Sequence, residues 1–296
     1  MLNRPFSASI AIVDPTTQQV FAVCTEKPDD PAFEEAHQAA YRAMDKARGG
    51  ALFKEVELSH KRGEFPAVNV GVSFGHGPQQ PHNLDVGKHG DMLDSLLQNE
   101  GVVRLANFAS ASFRVWSPAL YAQYHSKTES LYERMPHLKR NFKRSVFAAA
   151  AFNFGPRVCT YPHRDCMNLP YGWCAVQALG SSNPTKGRHL VLEQLKVAIE
   201  FPAGSLILIP SATLIHANTP VGPGETRLSF TQYTPGTLFR YVDNGFRVEH
   251  VFKQQDPRGY AKMVEEKAGR WEGGLKLWKT VDEILQGVQE HSGKQG

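Results

Sequence analysis

The sequence lacks the features that mark several large classes of protein. It contains no run of about eighteen apolar residues that could cross a membrane, and its first residues show no secretory signal peptide. Repeats and low-complexity segments are also missing. Its 4 cysteines have neither the spacing of a disulfide framework nor a C-x-x-C pair. These absences predict a soluble intracellular protein with free thiols and no membrane partner.

What the chain does contain is ordinary for a globular protein. With 296 residues it can bury a sizeable core, and its hydrophobic content of 41% and charged content of 21% are typical values. The net charge is +4 and the isoelectric point is about 8.8. A basic balance of this size permits a polyanionic partner without requiring one.

Secondary-structure signals divide the chain into three regions. Residues 1–145 begin with a β-hairpin pattern and continue as helices, the first of them starting at Asp30 and Pro31, an N-cap followed by proline. Residues 146–251 alternate short β-rich runs with turns, as in a barrel or jelly roll. Residues 252–296 predict a weak helix and a tail. We therefore expect an α+β protein with a mainly helical N-terminal shell around one β core.

The stretch "CTYPHRDCMN" contains the first candidate site. If it forms a strand, His163 and Asp165 point to the same face, where they can occupy neighbouring positions around a metal ion. His216, in "GSLILIPSATLIHANTP", ends a second apolar strand and can complete a set of two histidines and one carboxylate. Such a set, with open positions left over, is typical of Fe(II) oxygenases.

Two other interpretations of the same stretch are weaker. A kinase catalytic loop needs its asparagine farther from the aspartate and two further motifs that the chain lacks. A zinc-binding module could use Cys159, His163, Cys166 and Cys174, although their spacing is irregular.

A candidate co-substrate site follows His216 along the chain. In "ETRLSFTQYTPG", a strand would place Arg227, Ser229 and Tyr233 on one polar face. Iron with open positions needs a chelating co-substrate such as 2-oxoglutarate. The far carboxylate of this co-substrate suits the guanidinium of Arg227. The iron then binds O2 at its remaining open position. Asn153, in "AFNFGP", is either a second co-substrate contact or a structural turn residue.

At these residues the chain resembles the TET/JBP dioxygenases. "CTYPHRDCMN" is similar to the metal-binding segment of that family, C-x-x-P-H-R-D-x-x-N, and "LIHANTPVGPGETRLSFTQY" is similar to its downstream segment. Flanking segments such as "HLKRNFKRSVFAAAAFNFGP" and "FPAGSLILIPSA" resemble the basidiomycete, transposon-associated branch. The resemblance implies a double-stranded β-helix core that uses Fe(II) and 2-oxoglutarate to oxidise a methyl group on a DNA base. It assigns His163, Asp165 and His216 to the metal and Arg227 to the co-substrate.

The resemblance also implies which residues read the base. Asn168 matches the asparagine that hydrogen-bonds a flipped methylcytosine, and Tyr233 matches a tyrosine near the target methyl group. The chain departs from the TET pattern at Met167 and Pro235, where TET enzymes have histidines. The long TET insert and zinc-binding cysteines are absent too. Both 5-methylcytosine and N6-methyladenine are therefore candidate substrates. The resemblance implies a nuclear protein, and we expect it to be a monomer.

Further residues have less specific signals. Asp243, in "YVDNGF", is a candidate acceptor for the exocyclic amine of a flipped base, although "DNG" is also a turn signal. The basic cluster Lys139, Arg140, Lys143 and Arg144 is a candidate for contacts with DNA phosphates. We prefer the interpretation that the protein is an enzyme. A catalytically inactive DNA-binding module and a zinc-binding protein are the alternatives.

Overall fold

The computed structural model describes residues 9–75 and 77–292 of the chain. The start of the predicted hairpin, at residues 7 and 8, and the end of the predicted tail, at residues 293–296, lie outside the described residues.

The strands and helices have the following bounds. The strands are β1 Ile10–Val13, β2 Val20–Thr25, β3 Ser59–His60, β4 Gly63–Glu64, β5 Ala67–Ser73, β6 His82–Asn83, β7 Ala149–Asn153, β8 Cys174–Leu179, β9 Leu190–Leu192, β10 Val197–Ile199, β11 Leu206–Ile209, β12 His216–Asn218 and β13 Leu228–Tyr233. The helices are α1 Pro31–Gly50, α2 Glu55–Leu58, α3 Gly90–Gln98, α4 Glu100–Trp116, α5 Pro118–Arg134, α6 Gly236–Asp243, α7 Glu249–Gln255, α8 Pro257–Lys267, α9 Arg270–Leu275 and α10 Val281–Ser292.

Two antiparallel sheets form the β core. The large sheet has the strand order β1-β2-β11-β8-β13-β7-β5-β6, and the small sheet has the order β10-β9-β12. This arrangement is a double-stranded β-helix, so the predicted α+β class is confirmed. Strands β1, β2, β5 and β6 precede residue 145 but lie in the same sheet as the later strands. The domain boundary predicted at residue 145 therefore runs through a continuous sheet.

Strand β13 shows how the large sheet separates two environments. Phe230 is buried on its outer face and stacks on Phe152 of β7, with ring centroids 5.1 Å apart. That face joins an apolar cluster with residues of α1, α3 and α4. Ser229 and Thr231 point to the inner face, because side chains alternate along a strand. The predicted separation of polar and apolar faces is thus present on β13.

The N-terminal helix begins where the sequence predicts. The side chain of Asp30 accepts a hydrogen bond from the backbone N–H of Ala32 at 3.0 Å, and Pro31 takes the first helical position. Within residues 9–75 and 77–292, none of the helices combines the length and the apolar character needed to cross a membrane.

Three local predictions need correction. His163 and Asp165 do not lie on a regular strand, because that segment pairs with the chain around His216 through a single bridge. His216 begins β12, whereas the apolar strand before it, β11, ends at Ile209. Asp243 is the last residue of helix α6.

Candidate active site

Three side chains that can bind a metal converge where β12 begins. Nε2 of His163 lies 3.9 Å from Asp165 Oδ1, and Nε2 of His216 lies 3.8 Å from Asp165 Oδ2. One ligand atom from each residue fits within 4.8 Å of the other two. Ligand atoms that each lie about 2.1 Å from one ion are separated by roughly 3–4 Å. The three residues therefore have the spacing of ligands to a single metal ion.

The backbone fixes the tautomer of both histidines. Nδ1 of His163 lies 2.7 Å from the carbonyl oxygen of Tyr161, and Nδ1 of His216 lies 3.0 Å from that of Leu214. A carbonyl oxygen only accepts, so each Nδ1 must carry the proton and donate it. The lone pair of each Nε2 is then directed towards Asp165. Such a contact to the far ring nitrogen is the usual way in which proteins orient histidine ligands.

The chemistry of these donor atoms fits a divalent cation. Two imidazole lone pairs and a carboxylate, all of them acceptors, point into one half-buried space. Acceptors crowded together away from water repel one another unless a cation or a proton lies between them. Burial, followed by the proximity of His216, lowers the pKa of His163, so that its imidazole is neutral at pH 7. A neutral imidazole is the form that binds metal.

Backbone hydrogen bonds hold the three ligands in place. His163 and His216 exchange two of them, with N···O distances of 3.1 and 3.0 Å. The N–H of Asp165 donates to the carbonyl of Ser211 at 2.9 Å, and its own carbonyl accepts from the N–H of Asn168 at 2.8 Å. The irregular HxD segment is thus attached to both ends of the loop that leads into β12.

Arg227 lies buried immediately before β13. Its side chain is 3% exposed, and Nη1 donates to the carbonyl oxygen of Val158 at 3.1 Å. Among the described residues, its Nε has no hydrogen-bond partner. Burial, and then the charge of Arg188, lowers the pKa of Arg227 to about 9, so it remains a cation at neutral pH. A buried guanidinium with an unused N–H is suited to bind a carboxylate.

Asn153 and Ser229 form a pair on the inner face of the large sheet. They are directly opposite each other on β7 and β13, and Asn153 Nδ2 donates to Ser229 Oγ at 2.9 Å. Ser229 accepts this bond, which leaves its own hydroxyl proton available to a ligand. Ser229 thus lies two positions along the chain from Arg227, and Asn153 lies opposite Ser229 on the neighbouring strand.

A cavity of about 590 Å³ adjoins the metal ligands. Asp165, Met167, Asn168 and Tyr233 line it. Asn168 donates from Nδ2 to Ser211 Oγ at 3.0 Å, which leaves its Oδ1 as a free acceptor for the edge of a base. The structure therefore brings the two base-reading residues implied by the resemblance to the wall that also carries Asp165.

A hydrogen bond positions Tyr233 in this wall. Its hydroxyl donates to Asn69 Oδ1 of β5 at 3.2 Å, and burial raises its pKa to about 12. The phenol is therefore neutral at physiological pH. Sequence reasoning did not identify Asn69 or Ser211, the two residues that orient Tyr233 and Asn168. No local motif identifies them, because both act across strands or loops.

The structure places Asp243 away from this wall. It forms an ion pair with Lys127 of α5 and does not line the cavity. Its carboxylate is thus paired with the ammonium group of Lys127 on helix α5. This placement gives no support to the base-reading role predicted for Asp243.

The predicted phosphate contacts also lie outside the cavity. Arg140 pairs with Glu129 at 2.7 Å and covers the ring of Tyr132, whereas Lys139, Lys143 and Arg144 are exposed. A different set of basic residues lines the cavity itself: Lys54, Lys61, Arg62 and Lys88. Lys61 and Arg62 are adjacent, but Lys54 and Lys88 lie apart from them in the sequence, so sequence reasoning missed the set.

The zinc interpretation receives no support from the side-chain positions. Within the described residues, the group able to share a metal ion consists of His163, Asp165 and His216 and contains no cysteine. Cys174 is buried in β8 and burial raises its pKa to about 12, which disfavours the thiolate that zinc requires.

Large and small antiparallel sheets around a His-Asp-His cluster form a double-stranded β-helix. Solved structures with this fold include NgTET1 in complex with 5mC DNA, which matches with a TM-score of 0.51 and 12% sequence identity over 73% of this chain and 73% of that chain. At this identity the likeness shows the fold. The expected resemblance to the TET/JBP fold is thereby confirmed.

Weaker similarity extends to other oxygenases. An oxidoreductase of the 2OG-Fe(II) oxygenase family from Burkholderia pseudomallei has a TM-score of 0.37 and 16% identity, over 72% of this chain and 84% of that one. The 2OG complex of a viral collagen prolyl hydroxylase from Paramecium Bursaria Chlorella virus-1 has a TM-score of 0.24 and 20% identity, over 36% and 67%. Models of protein families and curated proteins give no match.

Proposed function

We propose that this chain is an Fe(II)- and 2-oxoglutarate-dependent dioxygenase that oxidises methylated bases in DNA. The observation that carries the proposal is the convergence of His163, Asp165 and His216 at the wall of a cavity that Asn168 and Tyr233 also line. The structural likeness to NgTET1, a protein solved with 5mC DNA, supports DNA as the substrate class.

Each polar group has a defined part in this proposal. His163 and His216 hold Fe(II) through Nε2, and Asp165 supplies the anionic ligand. Arg227 binds the far carboxylate of 2-oxoglutarate, with Ser229 as an additional donor. Bound Fe(II), together with 2-oxoglutarate and O2, would supply the oxidising power that inserts an oxygen atom into a C–H bond of a methyl group.

The cavity wall positions the base. A methylated base must leave the duplex stack to reach a metal at the bottom of a pocket. The free Oδ1 of Asn168 can accept a hydrogen bond from the exocyclic amine of cytosine or adenine. Tyr233, fixed by Asn69, limits how far the base can tilt. Cations at Lys61, Arg62 and Lys88 line the cavity and could contact the flanking phosphates.

We infer 5-methylcytosine as the main substrate and N6-methyladenine as a second one. Oxidation of the cytosine methyl group gives a hydroxymethyl base that further cycles can oxidise. Oxidation of the methyl group on nitrogen gives a product that releases formaldehyde. A nuclear location, inferred from the resemblance, and a monomeric state belong to the same proposal.

Mass spectrometry of nucleosides tests this function. Duplexes that carry either methylated base are incubated with the protein, Fe(II) and 2-oxoglutarate in air. Wild-type protein should convert 5-methylcytosine into a base one oxygen atom heavier and N6-methyladenine into adenine and formaldehyde, and Asn168→Ala should lose most of both products while still consuming 2-oxoglutarate. Consumption of 2-oxoglutarate without change to either base would contradict DNA as the substrate. DNA binding without any consumption would favour the inactive DNA-binding module.

A further inference from the structure

Two apolar side chains are exposed in the segment that follows α1. Among the described residues, Leu52 and Val56 are the most exposed large hydrophobic side chains, at 78% and 74%. Single exposed apolar residues are common on protein surfaces and need no explanation. The position of these two beside the candidate active site is what requires one.

The segment that carries them runs past two adjoining cavities. Val56 lines the cavity that Asp165 also lines, whereas Leu52 lines a second cavity of about 810 Å³ between α1 and α3. Lys88 and His89 line both cavities, so the two are neighbours. A side chain that lines a cavity and is still three-quarters exposed must lie at its mouth. We call residues 51–57 the rim segment.

Buried contacts hold the rim segment against the fold. The ring of Phe53 packs on the rings of His89 and Phe154, with centroids 5.5 Å apart in both cases. Nε2 of His89 lies 3.0 and 3.1 Å from the two carboxylate oxygens of Glu57. An ionised carboxylate only accepts, so this nitrogen donates. The two apolar side chains therefore project from an anchored segment.

Cations without acidic partners lie on both sides of the rim segment. Lys54, Lys61, Arg62 and Lys88 line the first cavity, and Arg42 and Lys46 line the second. Within residues 9–75 and 77–292, none of them forms an ion pair with a carboxylate. Such a surface favours a polyanion. A second copy of the chain, docked here by two-fold symmetry, would bring the same cations together, which is unfavourable.

A DNA duplex complements both features of this surface. Its phosphates match the cations, and its base stack can accept apolar side chains. When a base is flipped, the neighbouring bases lose a stacking partner, and proteins that distort DNA insert apolar side chains between base steps. We propose that Val56, with Leu52 beside it, enters the base stack next to the flipped nucleotide and stabilises the extruded base. This inference rests on the proposed function, since it assumes that the chain acts on a base in duplex DNA.

Turnover on duplex and on single-stranded DNA tests this role, with mass spectrometry of nucleosides as the measurement. The base of a single strand does not have to leave a duplex, so the inserted side chain should matter for the duplex alone. Val56→Ser should lower turnover on the duplex about 5- to 30-fold, the range for losing one aliphatic contact. Turnover on a single strand of the same sequence should stay within about threefold of wild type.

Weaker base pairing should rescue the variant. An abasic site opposite the target base lowers the cost of flipping. Val56→Ser should therefore regain most of the lost turnover on a duplex that contains such a site. The fluorescence of 2-aminopurine next to the target base reports unstacking without turnover. Mn(II)-loaded wild-type protein should raise this fluorescence more than Mn(II)-loaded Val56→Ser does.

Val264→Ser is the matched control. Val264 is a valine on α8 that is 46% exposed and lines neither cavity. This variant should act on the duplex and on the single strand as wild type does. Both substitutions are at exposed positions, so neither should change the melting temperature appreciably.

The outcomes separate the role of Val56 from the proposed function. Three results would each overturn that role and leave the function intact: unchanged duplex turnover in Val56→Ser, equal losses on duplex and single strand, or a loss that the abasic site does not relieve. Wild-type oxidation of single strands but not of duplexes would overturn it too. Failure of wild-type protein to oxidise a methylated base in any DNA would refute both this inference and the proposed function.

Discussion

The two faces of strand β13 have opposite characters. On the outer face, Phe230 stacks on Phe152 and meets Phe142 edge to face, with centroids 5.8 Å apart. On the inner face, Ser229 bonds Asn153 and Tyr233 bonds Asn69. Alternation along one strand therefore divides the residues that stabilise the sheet from those that face the candidate active site. Substitutions on the two faces should change different properties.

The largest effect should come from Asp165 on the inner side. Asp165→Ala removes the one anionic ligand in the cluster, so binding of Mn(II) and turnover should both be lost. The melting temperature of the metal-free protein should stay the same or rise, because the mutual repulsion of acceptors is relieved. Calorimetry with Mn(II) and thermal melting measure the two effects.

Asp85→Ala is the matched control for Asp165. Asp85 also lines the cavity, but it lies outside the metal-binding cluster and accepts from the N–H of Gly87 at 2.9 Å. It should retain Mn(II) affinity. Stoichiometric zinc that stays bound in Asp165→Ala would contradict the iron site and revive the zinc interpretation.

A smaller but still large effect is expected at Arg227. Arg227→Ala leaves the distal carboxylate of 2-oxoglutarate without its main partner, which costs about 3–5 kcal/mol, or more than about 100-fold in affinity. Mn(II) affinity should not change, since Arg227 is not a ligand. Calorimetric titration with 2-oxoglutarate measures this, and an unchanged dissociation constant would place the co-substrate elsewhere.

On the outer face, the expected loss is one of stability. Phe230 is 1% exposed, and Phe230→Ala should lower the free energy of unfolding by about 3 kcal/mol, at the lower end for such substitutions because neighbouring rings can shift. Urea unfolding measures this cost. The fraction that stays folded should bind Mn(II) and 2-oxoglutarate as wild type does.

Thr231→Ala provides the neighbouring control on the inner face. Thr231 lines the cavity and is only half-buried, so its loss should change stability by less than about 1 kcal/mol. Equal destabilisation by the two substitutions would contradict the expectation that the outer face of β13 contributes more to stability than the inner face.

The same division explains what could be predicted from the sequence. The polar and apolar faces of β13 follow from its two-residue period, and so does the position of Arg227. Asp30 and Pro31 predict the start of α1 because capping is a local interaction. Periodicity and capping depend only on neighbours in the chain, so both can be recognised in a single sequence.

Other features depend on contacts between distant segments. His163 and Asp165 were correctly grouped with His216, but on the assumption of a strand that the structure replaces with a single bridge. Asp243 and Lys127 are 116 positions apart in the chain, and no sequence pattern near either residue indicates that they form an ion pair. Arg188 carries no signal in "KGRHL" because its burial results from the packing of two sheets.

The smallest predicted effect concerns acid stability and His37, in the layer outside the large sheet. His37 lies on α1 and is 1% exposed. Burial lowers its pKa below the usual 6.5, and the carboxylate of Glu34, 3.7 Å away, only partly opposes this shift. The unfolded chain therefore takes up a proton on His37 before the folded chain does.

The sign of the pH dependence follows from this difference. The contribution of neutral His37 is fully present above pH 6.5 and is lost as the pH falls from 6.5 towards the folded-state pKa. His37→Gln should therefore lose less unfolding free energy than wild type between roughly pH 7.5 and 5.5. Urea unfolding at both values measures the change. His250→Gln, at an exposed position on α7, should behave like wild type.

His60 and His163 also have pKa values lowered by burial, so they add to the wild-type pH dependence with the same sign. Both residues are kept in His37→Gln and in the control, and the difference between the two variants isolates His37. An identical loss of stability on acidification in both variants would show that His37 contributes nothing to the acid sensitivity of the fold.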